Sequence, residues 1–251
     1  MKIGNSSIVS IENVSLTYRS LPGGQRSLKG YIVNSLSKGR SSLVNTKPQL
    51  IDISFEVRKG EQIGIIGRNG AGKSTLLKLI AGVLRPDNGT LNVNGTITPL
   101  IDLGTGMQGE LNLIENIQLS GAYLGWKPSE TRARIEPILA WAELEEMANK
   151  PFHTLSTGMQ SRLAFSISTL QNPDIVLIDE ILAVGDISFQ EKSVQRMNEL
   201  RRNGSASLLV SHDLNYIRDH TERVLWISNG VVYRDGESKA VVREYESSFH
   251  I

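Results

Sequence analysis

Cysteine is absent from the 251 residues, which excludes a disulfide framework and any thiolate metal site, and accords with a reducing compartment. No window approaches the roughly 20 apolar residues that a membrane span requires. The opening MKIGNSSIVSIENVSLTY also lacks the apolar core of a signal peptide. A task at a membrane would therefore depend on a second subunit. Nor is there an excess of one charge: 27 basic against 26 acidic residues leave a net +1, so no global field argues for nucleic acid or an acidic substrate. With 39% apolar residues, the chain can still fill a sizeable core.

The apolar pattern suggests an α/β fold. SIVSIENVSLTY (7 to 18) and LIDISFEVRKGE (50 to 61) alternate as half-buried strands do, whereas QIGIIG (62 to 67), DIVLIDE (174 to 180) and SASLLVSHD (205 to 213) are apolar runs suited to strands buried on both faces. GTLNVNGTITPLIDLG (89 to 104) suggests short antiparallel strands, and RVLWISNGVVYRDG a hairpin turning at Asn229-Gly230. A helix is expected at KSTLLKLIAGVL, and a helical block, inserted into the sheet domain, over about 105–170. Within it Met159, Leu163, Ile167 and Leu170 recur at helical spacing up to Asn172-Pro173. A last helix is expected near SKAVVREYESSF. There is no internal repeat, so one domain over 1–251 is the economical reading.

The stretch from Asn13 to Ile51 has another character. It carries six basic residues (Arg19, Arg26, Lys29, Lys38, Arg40, Lys47) and no acid. Leu28, Tyr31, Ile32 and Leu36 fall on one face of a possible short helix, which Gly30 weakens. The basic insertion, about 20–48, is either an ordinary surface segment or a helix lying at a membrane or a membrane partner.

Chemistry concentrates in a few short stretches. GRNGAGKST (67 to 75) fits G-x-x-x-x-G-K-[ST] and sits between an apolar strand and a helix, the context that pattern needs. Gly67, Arg68, Asn69, Gly70, Ala71, Gly72, Lys73, Ser74 and Thr75 would curl so that backbone N–H groups face the phosphates of ATP. Lys73 would reach the β- and γ-phosphates, and the Ser74 hydroxyl would bind Mg²⁺. Asp179 ends the strand IVLID, where a carboxylate can hold that Mg²⁺. Glu180 follows and can polarise an attacking water. His212 after SLLVS occupies the same kind of edge position and could hydrogen-bond a γ-phosphate. Tyr18 closes the first strand and could stack on adenine, although an aromatic there is more often core. LSTGMQSRL (155 to 163) reads as a helix start with Ser156 as N-cap.

GRNGAGKST, LSTGMQ, IVLIDE and SHD, in this order, resemble the nucleotide-binding subunit of an ABC transporter, from Tyr18 to about Gly236. The resemblance is strongest to the ATPase subunits of exporters for O-antigen, capsule or teichoic acid. It implies an ABC cassette of the P-loop NTPase class, with a mixed sheet core, an antiparallel β subdomain and an inserted helical subdomain. It assigns Tyr18 to adenine stacking, Gly67 to Thr75 to the Walker A loop, and Ser156, Thr157 and Gly158 to the signature. Asp179 becomes the Walker B aspartate, Glu180 the catalytic glutamate, Asp186 the D-loop residue and His212 the switch histidine. The partners it implies are a second cassette, closing head to tail over two ATP molecules, and two copies of an integral-membrane permease. The cargo would be a lipid-linked polysaccharide, with the cassette peripheral at the cytoplasmic face of the inner membrane and no nucleic acid involved. The same residues also suit a cassette that energises another cargo (a lipid, drug or nutrient) and, less well, a soluble cassette protein. The family's Q-loop residue falls on Asp102 or Gln108, and the reading expects no C-terminal carbohydrate-binding domain.

Overall fold

The computed structural model of the chain describes residues 7–20, 45–101, 104, 106–179 and 186–249. The basic helix read around Leu28 to Leu36, Asp102 and Glu180 lie outside them.

β1 (Ser7–Ser20), β2 (Asn45–Arg58) and β4 (Asn88–Val93) form an antiparallel sheet in the order β2-β1-β4. β2 begins at Asn45, ahead of the position 50 expected, because its first residues pair with the end of β1 through Tyr18 opposite Lys47 and Ser20 opposite Asn45. The second sheet holds β3 (Gln62–Ile66), β5 (Ile97–Leu100), β6 (Ile175–Asp179), β7 (Ala206–Val210), β8 (Arg223–Ser228) and β9 (Val231–Glu237). Its order is β5-β6-β7-β3-β8-β9, parallel except for the final hairpin, so it is a mixed sheet. One expectation fails here: β5 is not part of an antiparallel pair but lies parallel to β6, Ile97 opposite Ile175 and Leu100 opposite Ile178. Gly95, at φ 143, turns the chain out of the first sheet and toward the second.

The apolar runs behave as their composition requires. Every residue of β3 and β7 is buried, because helices or the other sheet cover both faces. α1 (Lys73–Ile80) packs between the sheets, with Leu76, Leu77, Leu79 and Ile80 in the cluster that holds Ile53, Ile63 and Leu208. On the opposite face, α5 (Ile187–Arg202), α6 (Leu214–His220) and α7 (Ser238–Ser247) cover Val176, Ile178 and Val224. α2 (Leu113–Tyr123), α3 (Pro128–Ala142) and α4 (Thr157–Thr169) enclose a third cluster of their own, including Leu113, Ile117, Ile138, Leu163 and Ile167.

Where β5 and β6 begin, Asp174 ties them together. Its Oδ2 accepts from the Thr96 N–H at 2.8 Å and from the Thr96 hydroxyl at 3.0 Å. The backbone N–H of Thr96 is the chief cause holding this carboxyl below its ordinary 3.8. A carboxylate with a depressed pKa contributes stability above its unfolded value and loses it as pH falls through the folded one. Asp174→Ala is therefore expected to cost about 1 kcal/mol at pH 7. Urea midpoints of the two proteins should converge below pH 3.8.

Candidate active site

Three parallel strands bring three of the sequence candidates to one edge. Asp179 lies opposite Val210, and Val210 opposite Ile65, so β7 stands between β6 and β3. Gly67 follows Ile65 by two residues and His212 follows Val210 by two. With strands spaced about 4.8 Å apart, Asp179, His212 and the start of the phosphate loop occupy a sheet edge roughly 10 Å wide. His212 is exposed and Asp179 half-buried there, as groups meant for a solvent-borne ligand should be.

The loop from Gly67 to Gly72 owes its path to backbone that lies close against it. Gly67 adopts φ 148, and a Cβ there would meet the Ile227 carbonyl oxygen at 2.1 Å. Gly72 adopts φ 112, and a Cβ there would meet the Gln49 carbonyl oxygen at 2.7 Å. Only glycine serves at both. The hairpin turn holds the loop from one side: the Gly230 N–H donates to the Ala71 carbonyl at 3.0 Å, and the Ile51 N–H donates to the Gly230 carbonyl at 2.8 Å. The turn residues Asn229 and Gly230 have φ 49 and 81, the I′ geometry that Asn-Gly favours. The Asn-Gly pair makes the turn legible locally; its service to the phosphate loop rests on long-range backbone bonds that no local pattern reveals.

Lys73 is buried, 7% exposed, and its Nζ donates to the Gly67 carbonyl at 2.8 Å and the Arg68 carbonyl at 3.3 Å. An ammonium at the N-terminus of α1, wrapped by a loop of backbone groups, makes a local receptor for anions in a chain of almost no net charge. Arg68, Asn69 and Gly70 are exposed along its rim, Ala71 is buried beneath, and Ser74 and Thr75 begin the helix with Ser74 exposed. Tyr18 is 43% exposed and pairs with Lys47, two residues before Gln49. Since the Gln49 carbonyl abuts Gly72, the Tyr18 position lies about 7 Å along the strand from that contact.

Mg²⁺ prefers hard oxygen ligands and keeps several waters and phosphate oxygens. The Ser74 hydroxyl and the Asp179 carboxylate suit that habit. Among the described residues no group of three or more His, Asp or Glu could hold a metal by itself.

The remaining candidates stand elsewhere. Ser156 caps α4, its hydroxyl accepting from the Met159 N–H at 3.3 Å, and Thr157 is exposed beside it. Met159 packs against the lobe's own apolar cluster, which accounts for a thioether at that position. Gln160, the next residue, donates its side-chain amide to the Phe152 and Leu155 carbonyls, both at 3.2 Å, and fixes the loop that presents Ser156 and Gly158. Asp186 caps α5 by accepting from the Phe189 N–H at 3.0 Å, and its other oxygen pairs with Arg162. Gln108 is exposed on the loop before α2, where Asn116 grips its backbone N–H and carbonyl at 2.8 and 3.0 Å.

This arrangement matches a known family. The family model described as ABC transporter matches residues 50–183. The chain belongs to the ABC transporter family. Among curated relatives of this ABC cassette, the O-antigen export system ATP-binding protein RfbB of Klebsiella pneumoniae is 39% identical over 85% of the chain and 85% of its own length. The RfbB of Myxococcus xanthus is 40% identical over 94% of the chain, which spans only 54% of that relative. The teichoic acids export ATP-binding protein TagH of Lactococcus lactis is 42% identical over 78% of the chain and 42% of its own length. Among solved structures, an ATP-binding subunit of an ABC transporter superposes with TM-score 0.73 over 96% of the chain and 94% of its own, at 24% identity, which shows the shared fold. A cassette solved as a dimer in a post-hydrolysis state, bound to ADP and Pi, superposes with TM-score 0.70 at 25% identity, over 92% of the chain and 98% of its own.

Proposed function

We propose that this cassette is the ATP-hydrolysing subunit of an exporter that moves a lipid-linked polysaccharide across the cytoplasmic membrane. The observation that carries the reading is the conjunction at one sheet edge of a buried Lys73 in a glycine loop with Asp179 and His212. The relatives named for O-antigen and teichoic acid export supply the cargo class.

In this reading the loop amides and Lys73 hold the β- and γ-phosphates of ATP, while Tyr18 stacks on adenine. Ser74 and Asp179 hold Mg²⁺, which when bound offsets phosphate charge. Glu180 takes the proton of the attacking water, and the His212 imidazole hydrogen-bonds the γ-phosphate. Ser156, Thr157 and Gly158 stand on the lobe at the N-terminal end of α4, with Ser156 and Thr157 exposed. That placement suits capping the ATP held by a second cassette in a homodimer, with Asp186 following the same junction. Helical subdomain (about 105–170) and basic insertion (about 20–48) then serve the permease side, two permease copies to two cassettes, with the cassette peripheral on the cytoplasmic face.

No helix among the described residues is long and apolar enough to cross a membrane. An apolar groove of about 500 Å³ between α1, β5 and the helical lobe provides a docking place for a permease segment. Val83 and Tyr123, 69% and 74% exposed, stand at its mouth. Affinity purification from membranes should recover the cassette with a polytopic permease and ATPase activity, and Tyr123→Asp should lower permease recovery at least tenfold while leaving ATP binding intact. Recovery of the wild-type chain as a soluble monomer without any membrane fraction would overturn the assignment.

A further inference from the structure

α4 carries the signature residues at its first turn, and six residues on, about 9 Å along the axis, it carries Arg162. The Arg162 side chain is only 16% exposed, and its guanidinium forks between two elements. Nη1 meets Glu143 Oε2 at 3.3 Å, at the C-terminal cap of α3, and Nη2 pairs with Asp186 Oδ2, at the N-terminal cap of α5. The other oxygen of Glu143 accepts from Lys192 Nζ of α5 at 3.0 Å, and that ammonium also donates to the Trp141 carbonyl at 2.7 Å. Beneath the charges Trp141, Phe165 and Phe189, one from each helix, pack with centroids 5.1 to 6.1 Å apart. Arg162 lies over the Phe189 ring at 5.0 Å and Lys192 over Trp141 at 4.9 Å.

This junction joins two bodies. Phe189 and Leu200 anchor α5 in the cluster of the main sheet, whereas Ile138, Leu139 and Ala142 anchor α3 in the lobe cluster. Glu143 reaches Arg162 from φ 59, a left-handed conformation that an L residue adopts at some energetic cost. Both carboxylates are more than half exposed, 55% and 60%, so the ion pairs add little to stability. What a planar two-armed fork supplies instead is direction, since it fixes two carboxylates at once in a way that a lysine cannot.

We propose that Arg162 is a positioning residue that sets the angle of the signature helix against the sheet domain. Through Glu143 and Asp186 it makes the lobe, the first turn of α5 and the Ser156–Gly158 end of α4 turn as one piece. The inference rests on the reading of that end of α4 as the phosphate-facing signature. Reorienting a phosphate contact by about 1 Å can cost on the order of 100-fold in rate, so even partial loosening should be visible.

The test compares wild type with Arg162→Met, which keeps the buried stem, with Arg162→Lys, which keeps the charge without the fork, and with Glu143→Gln. Steady-state hydrolysis by the purified exporter complex, ATP affinity from a fluorescent ATP analogue, and thermal midpoints are measured on each. Arg162→Met should lower kcat at least tenfold with ATP affinity within twofold and a nearly unchanged midpoint. Arg162→Lys should recover part of the rate, and Glu143→Gln should lose severalfold, non-additively with Arg162→Met. Unchanged kcat in Arg162→Met overturns the proposal, as does a rate loss matched by equal losses of ATP affinity and midpoint. A wild-type complex without hydrolysis overturns the ATPase reading and this proposal together, whereas hydrolysis insensitive to these variants overturns this proposal alone.

Discussion

Lys73→Met is expected to weaken ATP binding by about 10- to 100-fold and to lower hydrolysis at saturating ATP by roughly 100- to 1,000-fold, without destabilising the fold. Lys73 is the single Asp, Glu, Lys or Arg among the described residues whose side chain is buried. Its ammonium donates to two carbonyls of the loop, those of Gly67 and Arg68. A methionine of similar length fills the space of the buried stem without an ammonium to desolvate, so the fold should lose little stability. The same change deletes the buried positive charge of the loop, leaving the backbone amides, the α1 terminus and the rim Arg68 to hold phosphate. Stability and function should therefore move apart: a thermal midpoint nearly unchanged, and isothermal titration showing the affinity loss. A midpoint several degrees lower would mean that Lys73 is structural cement, and an unaltered ATP affinity would remove the loop from the nucleotide site.

Much of the fold could be read because burial on both faces leaves a continuous apolar run, as in Gln62–Ile66, Ile175–Asp179 and Ala206–Val210. The order of site residues at the sheet edge follows from those runs, since each run ends where a candidate begins. Other features left no such trace. The direction of β5 is set by its pairing with Ile175–Ile178, some 78 residues away from Ile97 (97 to 175), and a four-residue strand carries no sign of parallel or antiparallel partner. α5 shows no continuous apolar stripe in its sequence, ISFQEKSVQRMNELRR, which is largely polar. Phe189 and Leu200 anchor it in the core, and Arg196 binds the Thr169 carbonyl with two nitrogens, at 3.0 and 2.6 Å. The Arg162 junction was hidden for a related reason: Glu143 and Asp186 come from opposite sides of it in sequence, and single charged residues at such spacing have no pattern. Local chemistry was legible, then, where one segment makes a site alone, and silent where three helices must first meet.

Glu180→Gln carries the other large effect, a fall in hydrolysis of roughly 100- to 10,000-fold, the range that a positioned general base supplies. Asp179 closes β6 opposite Val210, and Glu180 is the next residue in sequence after that sheet-edge carboxylate. The substitution keeps shape and hydrogen-bonding capacity and removes the charge, so ATP affinity, which the proposed function assigns to Lys73, the loop amides, Ser74 and Asp179, should stay within a few-fold. If the signature residues of one cassette cap the ATP of another, binding without hydrolysis must also hold the two together. Size-exclusion chromatography with ATP should then show Glu180→Gln as a dimer at concentrations where the wild type, in turnover, elutes as a monomer. Lys73→Met, run at an ATP concentration below its weakened affinity, should stay monomeric. Hydrolysis undiminished in Glu180→Gln would move the base to another residue. A monomeric elution with ATP demonstrably bound would instead break the link between the α4 terminus and the neighbouring nucleotide.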